Sequence, residues 1–255
     1  MFKIISIVNQ PVVDAEGFMT DAERYHRDKD YVRAAQNYVA AAHFYWKSNC
    51  PVLSAKAITH AGKEYRIVAD FEYTHGRRDQ VLPHLQRSTL FFMKAILLYS
   101  QNSREKEMTE CLFFVAQNYA FAGGFAKSMG WDDLARRNYD EAAKNYRIAS
   151  QTLGEFTEEV AQGFKSAAEC YLLAGDLASA GDCFMKAAES YFRVGKPAEA
   201  VSHVSDAFEY YARAGKIESA VELFANVMGE CSEDVLKALI FKTYNADSRL
   251  GQFLF

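Results

Sequence analysis

The chain has 255 residues, half of them apolar, and a formal net charge of −4. This length and apolar content exclude intrinsic disorder and allow either one large core or a row of stacked repeats. The negative charge argues against nonspecific binding to nucleic acid. Three of the four prolines, Pro51, Pro83 and Pro197, fall where helices are expected to start. Since no run of alternating β-branched residues occurs, the composition favours an all-α fold.

The charge is divided unevenly along the chain. Residues 1–127 carry 16 Lys/Arg and 13 Asp/Glu, whereas residues 128–255 carry 13 and 20, so the two halves have net charges of +3 and −7. Two interpretations are open: an uneven solvated surface, or a protein that holds a different partner at each end.

The five cysteines are widely spaced and form no C-x-x-C pair. They are typical of buried thiols in a reducing compartment rather than of a disulfide framework or a zinc site. The apolar opening, M-F-K-I-I-S-I-V, is too short for a secretory signal, and no stretch reaches the length of a membrane span. We therefore expect a cytoplasmic protein.

Residues 1–19 are expected to form an apolar, irregular lead-in. Four of its side chains are candidates for contact with a membrane interface: Phe2, Ile4, Ile5 and Ile7. They could equally pack against the first helices, and packing is favoured because Lys3 is the only basic residue beside them. Peripheral contact with a membrane is the most that this segment predicts.

Residues 20–255 are expected to form one helical-repeat domain. Its first helix is predicted to begin at Thr20 or Asp21, where Glu23 would complete a capping box. Small residues and tyrosines at helical spacing then mark further helices, as in Ala34, Ala35, Tyr38, Ala41, Ala42 and Tyr45. Breaks between helices are predicted at H-R-D-K-D before Tyr31, at Ser48–Pro51, at Gly76, at Gln101–Arg104, at Gly130 and at Gly154.

One glycine-rich stretch, A-G-G-F-A-K-S-M-G from Ala122, places Lys127 and Ser128 after glycines. A phosphate-binding loop needs a glycine where Ala126 stands, and a preceding strand rather than a helix. We therefore interpret the stretch as a turn between helices. The six histidines are scattered without metal-ligand spacing, and no hydrolase nucleophile motif is present. The sequence predicts no enzyme, no cofactor and no metal site.

The clearest pattern lies between residues 168 and 220, where one motif recurs three times at a spacing of twenty residues. The copies align Tyr171 with Tyr191 and Tyr211, Gly175 with Gly195 and Gly215, and Ala180 with Ala200 and Ala220. Each copy predicts a helix that ends at glycine, the residue suited to a left-handed C-terminal position, and an alanine that lets the next helix approach. The spacing is expected to hold from Ala116 onward.

Two copies of the motif make an antiparallel helix hairpin of about forty residues, so the sequence predicts an α-solenoid of tetratricopeptide-like hairpins. The segment from Ser232 abandons the motif, as a C-terminal capping helix does. Stacked hairpins present a concave surface suited to helices or extended peptides. The candidate contacts are basic residues of the N-terminal half, which could pair with acidic side chains of an elongated partner: Lys56, Lys63, Arg66, Arg77, Arg78, Arg87 and Lys94. For any single one of them, a solvated position is the simpler interpretation.

Three stretches carry a family resemblance: A-E-R at Ala22 with D-Y-V-R-A-A-Q-N-Y-V-A-A-A-H-F-Y from Asp30, the repeats of residues 168–220, and Y-N-A-D-S-R-L-G-Q-F-L from Tyr244. They resemble the soluble NSF attachment proteins, which are adaptors of SNARE disassembly. The repeats alone would fit any tetratricopeptide-like solenoid, so the C-terminal stretch is the more specific of the three.

The resemblance implies an all-helical twisted sheet whose basic concave face embraces a SNARE four-helix bundle. It also implies a C-terminal end that docks on the hexameric NSF ATPase, and the residues there are Glu230, Glu233, Asp234, Asp247, Arg249, Leu250, Phe253 and Leu254. The uneven charge agrees in sign with this arrangement.

The chain departs from the family in two places. Arg24 runs almost directly into Asp30, where the family has an apolar membrane loop, and no leucine-containing tail follows Phe255. The second departure weakens the expectation of ATPase stimulation more than that of SNARE or NSF binding. The alternative to a SNAP-like adaptor is a generic tetratricopeptide-like scaffold for another protein or peptide, with no basic stripe on its concave face.

Overall fold

The computed structural model describes residues 2–154 and 156–216 together with residues 219 and 222, and for residues 2–11 it describes the backbone alone. Within these ranges the regular structure consists of nine α-helices. They are α1 Phe2–Arg27, α2 Tyr31–Lys47, α3 Pro51–Thr74, α4 Arg78–Gln101, α5 Glu105–Ser128, α6 Asp132–Leu153, α7 Glu158–Ala174, α8 Leu177–Arg193 and α9 Pro197–Arg213. The predicted all-α fold of antiparallel helix hairpins is confirmed. The predicted C-terminal capping helix lies outside the described residues.

The chain divides into two compact units, residues 1–122 (the first unit) and residues 123–255 (the second unit), and the boundary falls within α5. In the first unit, Phe92 of α4 is almost fully buried against Ala55 of α3 and Val115 of α5. In the second unit, Tyr191 of α8 packs on Ala161 of α7. Each unit thus has an apolar core of its own, built from large side chains that face alanines.

Helix α1 corrects two expectations about the N-terminus. It is continuous from Phe2 to Arg27, so residues 2–19 are helical rather than irregular. Thr20 does not begin a helix, because its hydroxyl donates to the carbonyl oxygen of Glu16 at 3.0 Å, within the same helix. A threonine inside a helix can bond back to the preceding turn in this way, and the capping pattern in the sequence then forms no cap.

Helix α5 also differs from expectation. It runs through Gly123 and Gly124 to Ser128, so the turn predicted for the stretch from Ala122 is confined to its last two residues, Met129 and Gly130. A Cβ atom at Gly123 would lie 2.8 Å from the ring of Tyr139 in α6, and the glycine therefore serves close packing rather than chain reversal. Pro83 likewise lies inside α4 instead of at its start.

The twenty-residue repeat is carried by α7, α8 and α9, which have 17 residues each. The three aligned glycines, Gly175, Gly195 and Gly215, have φ angles of 88°, 76° and 74°, as predicted for helix ends. Ala180 and Ala200 are fully buried where the following helix begins. The spacing begins only at α7, because α5 and α6 have 24 and 22 residues.

The repeat tyrosines connect successive helices of the second unit. The hydroxyl of Tyr191 donates to Gln162 Oε1 at 3.4 Å, and that of Tyr211 donates to Asp182 Oδ1 at 2.5 Å. Both acceptors lie 29 residues before their donors, so one contact recurs with the period of the motif.

In the first unit, alternate helices form two layers. His26 of α1 approaches Glu64 of α3, with His26 Nδ1 at 2.9 Å from Glu64 Oε1. Lys63 of α3 in turn lies over the ring of Phe114 in α5, 4.9 Å from its centroid. Residues of α2 and α4 line a common groove. Helices α1, α3 and α5 therefore make one layer, and α2 and α4 make the other.

Across the described part of the chain, every helix falls short of the sustained apolar length that a bilayer crossing requires.

Candidate protein-binding surface

The seven predicted contact residues lie on α3 and α4 and on the connection between them. Helix α3 carries Lys56, Lys63 and Arg66, the connection ends at Arg77, and α4 carries Arg78, Arg87 and Lys94. Lys56 and Lys63 line a groove between α3 and α5, whereas Lys94 lines a groove between α2 and α4. Because α3 and α4 belong to different layers, these two grooves open on opposite sides of the first unit.

The groove between α3 and α5 has mixed charge. It has a volume of about 420 Å³, and Lys56 and Lys63 share its lining with Glu107 and Glu110. Glu107 also pairs with Arg104, which lines the same groove. An acidic partner would meet repulsion here as well as attraction, so this groove offers little net charge complementarity.

Two groups in that groove titrate abnormally. Burial raises the pKa of the Cys111 thiol to about 11, so the sulfur stays protonated and is a poor nucleophile. Burial lowers the pKa of His60, and the nearby charges of Lys63 and Lys56 lower it further. Burial between helices is the main cause of both shifts.

The guanidinium of Arg66 is engaged inside the first unit. Its Nε lies 3.2 Å from Asp70 Oδ2, and its Nη1 lies 3.4 Å from Asn118 Oδ1. The amide of Asn118 donates to the Ser88 hydroxyl at 2.8 Å, and that hydroxyl donates to the carbonyl oxygen of Gly62, also at 2.8 Å. This buried network joins α3, α4 and α5, so Arg66 has a structural role that the sequence pattern did not reveal.

Arg77 is engaged as well. It forms an ion pair with Glu72, and its guanidinium lies over the ring of Phe71, 5.2 Å from the centroid. These contacts lie at the connection between α3 and α4 and use the charge of Arg77 locally.

Four of the predicted residues keep charges that no described carboxylate approaches to salt-bridge distance: Lys56, Lys63, Arg87 and Lys94. Arg87 lies over the ring of Tyr65 and Lys94 over the ring of Phe91, each 5.7 Å from the centroid. These contacts hold the side chains in place without neutralising them.

The groove between α2 and α4 was not anticipated. It has a volume of about 450 Å³ and an apolar lining, in which Lys94 supplies the only formal charge among the described lining residues. Its sequence signal is the absence of acidic residues, because α2 contains no Asp or Glu and α4 contains none after Asp79. Helices α3 and α5, in the other layer, each carry three acidic residues.

The other predicted contacts cannot be placed. The eight C-terminal residues proposed for the ATPase lie outside the described residues: Glu230, Glu233, Asp234, Asp247, Arg249, Leu250, Phe253 and Leu254. Phe2, Ile4, Ile5 and Ile7 belong to α1, but their side chains lie outside the described residues too.

The Lys127–Ser128 pair lacks the setting of a phosphate site. It lies at the C-terminal end of α5, where carbonyl oxygens rather than amide groups are free. Lys127 is paired with Asp132 at 2.6 Å, and the Ser128 hydroxyl donates to the carbonyl oxygen of Phe125 at 2.7 Å. In the described ranges, no three His, Cys, Asp or Glu side chains come together as a metal site.

A match to a known family covers most of the second unit, including the repeats. Residues 123–239 match the soluble NSF attachment protein family, SNAP. The resemblance is confirmed over this stretch, which is a little under half of the chain. The stretches from Asp30 and Tyr244 lie outside the matched residues. The SNAP match supports an adaptor or scaffold role based on protein–protein contacts, and proteins of this kind are generally non-enzymatic.

No curated protein matches the chain in sequence. Among solved structures, BtubC from P. vanneervenii is 17% identical, with 85% of this chain and 87% of that chain covered and a TM-score of 0.35. A tetratricopeptide repeat protein from Parabacteroides merdae is 14% identical, with 90% and 98% covered and a TM-score of 0.21. The TPR2AB domain of yeast Sti1, solved with a pHSP90 component, is 14% identical, with 90% and 98% covered and a TM-score of 0.19.

Proposed function

We propose that this protein is a SNAP-like adaptor in vesicle trafficking and membrane fusion. It binds a SNARE helical bundle through basic side chains of its first unit and an NSF-type ATPase through its acidic C-terminal end. It acts by holding these proteins together and carries out no chemical step itself.

The observation that carries this proposal is the SNAP match over residues 123–239. The charge of the two units supports it. The first unit has 15 Lys/Arg and 13 Asp/Glu, whereas the second has 14 and 20. A positive unit and a negative unit suit two partners of opposite charge better than one partner that spans both.

Within the first unit, we assign the bundle to the side formed by α2 and α4. Arg87 and Lys94 lie there on helices that are almost free of acidic residues. A rod-like bundle can lie against only one side, and on the opposite side Lys56 and Lys63 are close to Glu107 and Glu110. The long-range attraction of an acidic rod is therefore strongest toward α2 and α4.

The proposal is tested by capture of a purified SNARE bundle with the full chain at about 50 mM and about 300 mM salt. Binding should be stronger at the lower salt, because surface charges are then screened less. The double variant Arg87→Glu/Lys94→Glu should weaken binding about tenfold, since attraction becomes repulsion at two positions.

The matched control is Lys56→Glu/Lys63→Glu, which makes the same change of charge on the opposite side and should weaken binding much less. Absence of binding at both salt concentrations would refute the SNARE proposal and leave a scaffold for some other protein. Equal losses in the two double variants would refute the assignment to α2 and α4.

A further inference from the structure

Helices α2 and α4 leave an apolar groove open to solvent. Its walls carry Val39, His43 and Trp46 from α2 and Phe91, Lys94, Leu97 and Leu98 from α4, above a floor of Ala42, Ser54 and Ile58. The exposed fractions of Trp46 and Leu97 are 56% and 57%. Leu90 and Met93, also on α4, are 51% and 53% exposed. Single exposed apolar side chains are normal, but a cluster around a groove marks a binding surface.

The groove has the dimensions of a short helix. Val39, His43 and Trp46 follow one another at steps of four and three residues, so this wall spans about two helical turns, or about 10 Å. Phe91, Lys94 and Leu98 make a wall of the same length on α4. A helix that places apolar residues at positions i, i+3, i+4 and i+7 covers a groove of this length.

The charge around the groove favours a partner of negative charge. Helix α2 has no acidic residue, and α4 has none after Asp79. Lys94 lies in the lining, and Arg87 lies seven residues before it on α4, which is two helical turns away along the same face. Since no described carboxylate pairs with either cation, a carboxylate on the partner would find both available.

We propose that this groove binds a single amphipathic helix of a partner protein. The apolar face of that helix lies on Trp46 and Leu97, and carboxylates on its flank pair with Lys94 and Arg87. The site uses the same side of the first unit as the SNARE proposal but does not depend on it. An assembled helical bundle keeps its apolar side chains inside itself, whereas this groove needs a helix with its apolar face free.

Trp46 provides a direct signal for binding. The chain has two tryptophans, so Trp131→Phe leaves Trp46 as the only one. The probe is a synthetic helical peptide of about fourteen residues, with leucines at i, i+3, i+4 and i+7 and glutamates on both flanks. Binding should move the Trp46 emission to shorter wavelength and protect it from acrylamide, with a dissociation constant in the micromolar range. A second peptide with lysines in place of the glutamates should bind at least about fivefold more weakly.

Two variants test the two kinds of contact. Leu97→Glu should weaken binding of the glutamate peptide at least about tenfold, because it places a charge in the apolar wall. Its control is Leu173→Glu on α7, where the leucine is 60% exposed, and this change should leave binding unaltered. Lys94→Glu should reverse the preference, so that the lysine peptide binds better. All three side chains are exposed, and circular dichroism should show unchanged helix content.

The proposal is overturned if Leu97→Glu leaves peptide binding unchanged, or if Lys94→Glu leaves the preference between the peptides as it was. It is also overturned if the chain self-associates in sedimentation and Leu97→Glu abolishes that association, because a second copy would then occupy the groove. Peptide binding without capture of a SNARE bundle refutes the proposed function alone, and the reverse result refutes the groove proposal alone.

Discussion

Two partly buried histidines show how packing in the first unit controls ionisation. The ring of His60 stacks on Tyr38, with 5.0 Å between centroids. Burial lowers the pKa of His60, and Lys63 and Lys56 add to the shift. Burial also lowers the pKa of His84, and the nearby charge of Arg87 lowers it further. Both rings are therefore neutral at physiological pH, and protonating them costs stability.

We predict that the free energy of unfolding falls as the pH is lowered from about 7 to about 5. The unfolded chain takes up protons near the ordinary histidine pKa of about 6.5, whereas the folded chain takes them up only at lower pH. Acid therefore favours unfolding. The contribution of these histidines to stability is present above the ordinary pKa and is lost as the pH falls toward the lowered pKa of the folded state. His60→Gln should reduce the slope, as measured by urea unfolding at several pH values.

The control for His60→Gln is His43→Gln, which makes the same substitution at an exposed position. If His60→Gln retains the full slope, burial of this ring is not its cause.

At the scale of single helices, side-chain caps determine where the short repeats begin. The carboxylate of Asp176 caps α8, since it accepts from the Ser179 amide at 3.0 Å and from the Ser179 hydroxyl at 2.7 Å. Burial acts to raise the pKa of Asp176, but the hydrogen bonds from Ser179 outweigh it and lower that pKa. The folded state therefore favours the ionised carboxylate.

We predict that Asp176→Ala lowers the free energy of unfolding by about 1 kcal/mol, because the first turn of α8 loses its capping acceptor. Asp176→Asn should retain most of the stability at neutral pH, since an amide oxygen can accept the same backbone hydrogen bond. Thermal unfolding followed by circular dichroism compares the two. Equal destabilisation by both changes would show that the charge, not the cap, is responsible.

Local rules predicted the elements of the second unit well. Thr157 caps α7 as expected, with its hydroxyl accepting from the Val160 amide at 3.2 Å, and Gly175 closes the helix. The rules failed at Thr20 and Gly123, where the outcome depends on a continuing helix or on the ring of Tyr139 from the next helix. No pattern within a few residues contains that information.

The binding surface was predicted only in part, for the same reason. Basic residues could be counted in the sequence, but the engagement of Arg66 depends on Asn118, which lies 52 residues later. The groove exists because α2 and α4 lie side by side, and its signal in the sequence is an absence of acidic residues. Sequence patterns thus gave the sign of the charge, and packing decided which charges a partner can reach.

At the scale of the whole molecule, the first unit has a net positive charge and the second unit a net negative charge. The SNAP match covers the repeats of the second unit, and the acid-poor side of α2 and α4 lies in the first. An adaptor must hold two partners at once, so binding to either one alone does not establish the role.

The most direct measurement is co-sedimentation of an NSF-type ATPase with a SNARE bundle, with and without the full chain, under a nucleotide that is not hydrolysed. We predict that the ATPase sediments with the bundle only when the chain is present, and that Arg87→Glu/Lys94→Glu strongly reduces this recruitment. Recovery of equal ATPase without the chain, or binding of the bundle by the chain without any ATPase, would contradict the proposed adaptor role.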